Sequence, residues 1–191
     1  YMNPWSFWCL RLALRFVGHL MIPTVPFKEL FFLDTAKEFR KALKMPLIYV
    51  GGVMGSGSNG VISNCHNSGE IVGEDYVGGI LGSGTGLTSC SNSGTVTGVE
   101  RVGGILGNGY TVKMCFNTGM VNGEVMVGGV AGRTNGYLQN SYNTGTITGI
   151  KEVGGLVGYC LKGNVRNCFN TGEVTGSELV AEVIGSNNGG E

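Results

Sequence analysis

Aliphatic residues recur along this chain in a fixed grouping. The string Val-Gly-Gly-aliphatic-aliphatic-Gly begins at Val77, Val102, Val127 and Val153, with an early copy at Val50 and a degraded one running from Val180 to Gly185. From Val50 the successive steps are 27, 25, 25, 26 and 27 residues. A second string keeps the same phase. It reads Cys65-His66-Asn67-Ser68-Gly69, Cys90-Ser91-Asn92-Ser93-Gly94, Cys115-Phe116-Asn117-Thr118-Gly119, Ser141-Tyr142-Asn143-Thr144-Gly145 and Cys168-Phe169-Asn170-Thr171-Gly172. Each copy is followed by a short aliphatic step that ends on glycine, at Gly73, Gly98, Gly123, Gly149 and Gly176. Every repeat therefore carries about three short β-prone pieces divided by glycine turns. Glycine strings such as Gly82-Ser83-Gly84-Thr85-Gly86 read as further turns.

Self-similarity at this spacing marks a stacked architecture, in which no single repeat buries its own apolar face. The predicted fold is mainly β: a glycine-rich β-solenoid of about five repeats of about 25 residues over positions 51–185, followed by a polar, frayed tail at 186–191. In a solenoid, equivalent side chains lie over one another at about 4.8 Å per coil. Two internal ladders follow. Asn67, Asn92, Asn117, Asn143 and Asn170 form one, their amides bonding between coils or capping turn backbone. Cys65, Cys90, Cys115 and Cys168 form the other, a column of small buried side chains in which Ser141 takes one place. Parallel Cβ vectors on neighbouring coils disfavour disulfides there. Glycine is expected at the corners, wherever positive φ or close backbone approach is needed. Phe116, Tyr142 and Phe169 make a third column. It is expected either to contact a ligand, by stacking on sugars or pairing with a partner strand, or to pack against turn backbone.

Composition breaks near position 50. Residues 1–50 hold all four prolines, both tryptophans and one glycine, whereas the remainder holds 35 glycines and no proline. The charge balance is +4 before the break, from seven Lys/Arg against three Asp/Glu, and −4 after it, from six against ten. The break divides the chain into an α/β segment (1–50), the repeats (51–185) and the tail. The stretch from Phe7 to Ile22 carries Arg11, Arg15 and His19 four apart, which suits an amphipathic helix and neither a signal peptide nor a membrane span. Thr35 and Glu38 fit a capping box, Pro46 stops that second helix, and Leu47–Val50 reads as a strand. This segment is expected to cap the solenoid or to be a barrel remnant. The chain starts with Tyr1, so any export signal is expected to lie upstream.

The chemistry of most enzyme classes finds no footing in these residues. There is no basic stripe for nucleic acid. Cys-x-x-Cys does not occur, and His19 and His66 are the only histidines, so no metal site is expected. Calcium binding of the repeat type needs an Asp in each turn, and the chain has only Asp34 and Asp75. Glycan cleavage needs carboxylates close together, while Glu70 and Glu173 share a repeat position four coils apart. No Gly-Lys-Ser/Thr follows the glycine strings, and no serine has a His and an acid in a recognisable order. No catalytic residue is assigned.

Two resemblances add to this. Val77-Gly78-Gly79-Ile80-Leu81-Gly82 and Cys115-Phe116-Asn117-Thr118-Gly119, with their copies, resemble the GLUG motif over roughly 50–185. That resemblance implies a bacterial surface or secreted protein of adhesin-like character, with no enzymatic activity in the motif itself. Pro26–Asp34, Phe39–Leu43 and Met45–Met54 resemble the late part of an old yellow enzyme-type NADH:flavin oxidoreductase, over about 20–54. The second resemblance implies a helix and the seventh strand of a TIM barrel, with Gly51 and Gly52 facing an FMN phosphate; the family's catalytic residues, flavin-ring contacts and six earlier strands are absent. Two functions follow from different classes. The first is a noncatalytic extracellular or cell-surface spacer or adhesion scaffold, without cofactor, whose partner is a host protein or glycan. The second is a remnant of an FMN-dependent oxidoreductase fused to repeats.

Overall fold

A computed structural model of the protein describes residues 53–189. The two helices and the strand expected before position 50, together with Gly51 and Gly52, lie outside the described residues.

The described residues form a parallel β-solenoid with no helix. One coil shows the plan: a long strand (Leu81–Thr88), two short ones (Ser91–Asn92 and Val96–Thr97) and a fourth (Glu100–Gly103). The next coil repeats it at Leu106–Lys113, Phe116–Asn117, Val121–Asn122 and Val125–Gly128. Stacking gives four sheets: one of eight strands and three of five. Five coils are complete, and a last strand, Ile184–Asn187, opens another turn.

The long strand is the one that sequence reading took in part for a turn, so each coil has four strands where three were expected. Gly82–Gly86 lies within a continuous strand, with Ser83 opposite Asn108, Gly84 opposite Gly109 and Gly86 opposite Thr111. The reason is spacing between coils. A Cβ on Gly84 would sit 2.6 Å from the carbonyl oxygen of Gly57 on the preceding coil. The tail is corrected as well: Ser186 and Asn187 are not frayed but pair with Tyr159 and Cys160.

Corner geometry differs from expectation in a further respect. The left-handed residues are not glycines. Asn64, Ser89, Met114, Asn140 and Asn167 have φ of 50–56°, and Tyr76, Arg101, Met126, Glu152 and Leu179 have φ of 54–57°. Each coil thus carries two such positions, each at a cost of roughly 1–2 kcal/mol for an ordinary L-residue. Glycine serves close approach instead: a Cβ on Gly119 would land on the Gly94 carbonyl, well inside van der Waals contact. Only Gly60 and Gly189 among the described glycines have positive φ.

The interior is built from like-on-like columns. Ile80, Ile105, Val130 and Leu156 are fully buried, and Leu81, Leu106, Ala131 and Val157 nearly so. A second apolar column set joins Val77, Val102, Val127 and Val153 to Val96, Val121 and Ile147. Each such side chain contributes about 1.5–3 kcal/mol of burial, but only once a neighbouring coil covers it. The last coil shows the converse, since Val180 and Val183 remain 41% and 43% exposed.

The columns hold register although the repeats differ in length. All extra residues collect at one corner of the long sheet. The two extra residues of the first coil form an irregularity between Gly57 and Val61. The single extra residue of the fourth coil splits its long strand into Ala131–Thr134 and Tyr137–Gln139. The two of the fifth split Val157–Cys160 from Asn164–Arg166. Beyond the corner the pairing resumes, with Val112 opposite Leu138 and Leu138 opposite Val165.

Candidate functional site

The short strand after the left-handed corner carries the residues singled out from sequence. Around it the chain alternates: Met114 out, Cys115 in, Phe116 out, Asn117 in. The three predicted columns therefore stand side by side on one edge of the solenoid.

The asparagine ladder is continuous over five coils. Asn67 donates to Asn92 at 2.7 Å, and Asn92 to Asn117, Asn117 to Asn143 and Asn143 to Asn170 at 2.8 Å each. Every amide also caps the turn that follows it. Asn117 Nδ2 donates to the Gly119 carbonyl at 2.7 Å, and the Gly119 N–H donates to Asn117 Oδ1 at 3.3 Å. Both expected roles are thus performed at once. Asn92, Asn117 and Asn143 are fully buried and fully paired, which is what buried amides need.

The cysteine column bonds to backbone as well as filling space. Each thiol donates to the carbonyl two residues back, across the left-handed residue: Cys90 to Thr88 at 3.3 Å, Cys115 to Lys113 at 3.1 Å and Cys168 to Arg166 at 3.1 Å. Ser141 does the same to Gln139 at 2.9 Å. It also accepts the Cys115 N–H at 3.1 Å, as Cys115 Sγ accepts the Cys90 N–H at 3.4 Å. This is why serine replaces cysteine there without disturbing the stack. Burial pushes the Cys115 thiol up to about 12 and raises Cys90, Cys160 and Cys168. Buried protonated thiols are poor nucleophiles. All five cysteines among the described residues are free.

The aromatic column is a parallel stack. Phe116 and Tyr142 have ring centroids 5.0 Å apart and planes 3° apart; Tyr142 and Phe169 are 5.0 Å and 2°. Both faces of Tyr142 are therefore covered by its neighbours, leaving edges and the hydroxyl toward solvent. Phe169 is 53% exposed and belongs to the last coil of its sheet, so its outer face is open. Towards the other end the column continues as Ser91 and His66, joined Nδ1 to Oγ at 2.8 Å.

Sequence reading missed a cluster at the second left-handed corner. The Arg101 guanidinium lies 4.8 Å from the Tyr76 ring centroid and 2.7 Å from Glu100, while its buried Nε has no hydrogen-bond partner. The only signal was the 25-residue offset between Tyr76 and Arg101. Among the described residues, no three of His, Cys, Asp and Glu converge to hold a metal ion, and no helix is long and apolar enough to cross a membrane.

Fold and edge together define a repeat protein, a glycine-rich β-solenoid with internal hydrogen-bonded ladders. Comparison with known families agrees: the family model for the GLUG motif matches residues 151–175. That segment runs from the fourth strand of one coil to the third strand of the next and includes Phe169, Asn170 and Gly172. A curated relative, the 4,4'-dithiodibutanoate disulfide reductase of Rhodococcus erythropolis, is 55% identical over 41 residues. The match covers 22% of this chain and 10% of the reductase, so the chain spans about a tenth of that relative's length. No solved structure matches.

Proposed function

We propose that this protein is a noncatalytic segment of a bacterial cell-surface or secreted protein, serving as a spacer and binding scaffold. The observation that carries the reading is the unbroken asparagine ladder, which spends the buried polar groups of five coils on holding the coils in register. A rod locked along its length transmits position rather than performing chemistry. The contact surface is the aromatic edge. A sugar ring stacks on an aromatic face, and the face open in this column is the outer side of Phe169; Phe116 and Tyr142 offer edges and a hydroxyl to a glycan or a host protein. A glycan array and a host-protein panel test this, with Phe169→Ala expected to weaken binding more than Phe116→Ala. Absence of binding to every glycan and protein would leave only the spacer role.

A second reading is favoured by the 41-residue match to the reductase. In it, part of the chain is a remnant of an FMN-dependent oxidoreductase, with Gly51 and Gly52 toward the FMN phosphate. Those glycines lie outside the described residues. Purified protein mixed with FMN is expected to retain no yellow chromophore and to oxidise no NADH; tight flavin retention would reverse the ranking.

A further inference from the structure

The first four coils share a Gly-Gly pair that the fifth replaces. Gly78-Gly79, Gly103-Gly104, Gly128-Gly129 and Gly154-Gly155 are followed, at the same repeat position, by Ala181-Glu182. What the glycines make room for is the next coil. A Cβ on Gly79 would come within 2.6 Å of Asn92 Cγ. On Gly155 it would meet Asn170 Cγ at 2.6 Å, and on Gly104 and Gly129 it would overlap Asn117 and Asn143 as closely. At the first glycine the obstacles are backbone: a Cβ on Gly78, Gly103, Gly128 or Gly154 would meet first the carbonyl three residues on (Leu81, Leu106, Ala131 or Val157) and then, at 2.6–2.7 Å, the amide nitrogen of Gly107, Gly132, Gly158 or Gly185 one turn later. Ala181 and Glu182 therefore put side chains into the two places that a following coil of this kind must occupy with a glycine amide and an asparagine.

The ladder itself supplies a second, independent observation. Each inner asparagine gives its outward N–H to the next asparagine's Oδ1. Asn170 gives its own to Glu182 Oε2 at 3.4 Å. The carboxylate stands in for the missing carbonyl, and its charge faces the donor end of five aligned amide dipoles. One residue thus terminates the ladder chemically and blocks it sterically.

We propose that Ala181 and Glu182 block the stacking of a further asparagine-bearing coil on the fifth, above all the first coil of a second copy of this chain. On the fifth coil, parallel strand edges and Val180 and Val183 are exposed. Head-to-tail addition through such an end is a non-closing contact and leads to fibres.

The test places a coil there deliberately. A second copy of residues 161–187 is inserted directly after Asn187, once in the natural background and once with Ala181→Gly and Glu182→Gly together, and amide hydrogen exchange is read coil by coil. The inner coils report that both proteins are folded. The inserted coil is expected to exchange freely in the natural background and at least about tenfold more slowly in the Gly-Gly background. Equal protection of the inserted coil in both backgrounds would overturn the proposal. So would equal lack of protection, because positions 181 and 182 would then not decide whether a coil can add.

Discussion

Phe116 and Asn117 are adjacent in sequence and belong to columns with opposite habits. Inward, asparagine stands at all five places, each amide engaged by its neighbours and its own turn. Outward, the same five places read His66, Ser91, Phe116, Tyr142 and Phe169. Backbone geometry is shared by the two columns, so the difference comes from solvent. A buried amide left without a partner has nowhere else to turn, whereas an exposed ring that loses its neighbour is met by water. Identity is enforced where the cost of a mismatch is high, and variety is available where it is low.

Substitutions that cross this divide should give graded effects. Asn117→Ala breaks the ladder at its centre and strands the Gly119 amide and carbonyl, for an expected loss of about 4 kcal/mol in urea denaturation. A loss below about 1 kcal/mol would mean that the ladder follows from the stack instead of holding it. Tyr142→Ala removes two ring contacts from the outer column and is expected to cost about 2 kcal/mol, with the coils on either side remaining protected in hydrogen exchange. Cys115→Ser should be nearly neutral at pH 7, because Ser141 already performs the same bonds. Its effect lies at high pH. The folded Cys115 thiol titrates near 12 against an ordinary 9.0, so the natural protein's stability is intact below about pH 9 and falls as pH rises toward 12. The serine variant should lose that part of the decline, as read from thermal melts between pH 8 and pH 11. Met114→Asn is the mildest. It puts a left-handed-tolerant residue at an exposed corner where Asn64, Asn140 and Asn167 already stand, and it should stabilise by about 0.5 kcal/mol.

What sequence made readable was whatever repeats in kind. The coil period, the asparagine and cysteine columns and the inward valines all follow from residues that recur at one offset, because stacking forces equivalents together. The left-handed corners did not, since Tyr76, Arg101, Met126, Glu152 and Leu179 share a backbone angle and no chemistry. Glycine misled in the opposite direction. Its usual meaning is a turn, but at Gly84 it marks a strand pressed against the coil beside it. For the aromatic column, sequence placed the residues in line without telling whether rings would present faces or cover one another, which depends on the 5.0 Å centroid spacing. The role of Glu182 was hidden because a degraded copy of a motif looks like decay until the absent glycine's purpose is known.

Since length differences are absorbed at a single corner of the long sheet, that corner is a natural docking port for foreign sequence. One or two residues are already accommodated between Thr134 and Leu138 and between Cys160 and Val165 with the flanking pairs undisturbed. Widening a loop adds only a logarithmic entropy penalty. A peptide epitope or a small domain grafted after Asn135 would project sideways from the rod, and several grafts at equivalent sites would line up at the pitch of the coils, making the molecule a ruler with evenly ruled marks.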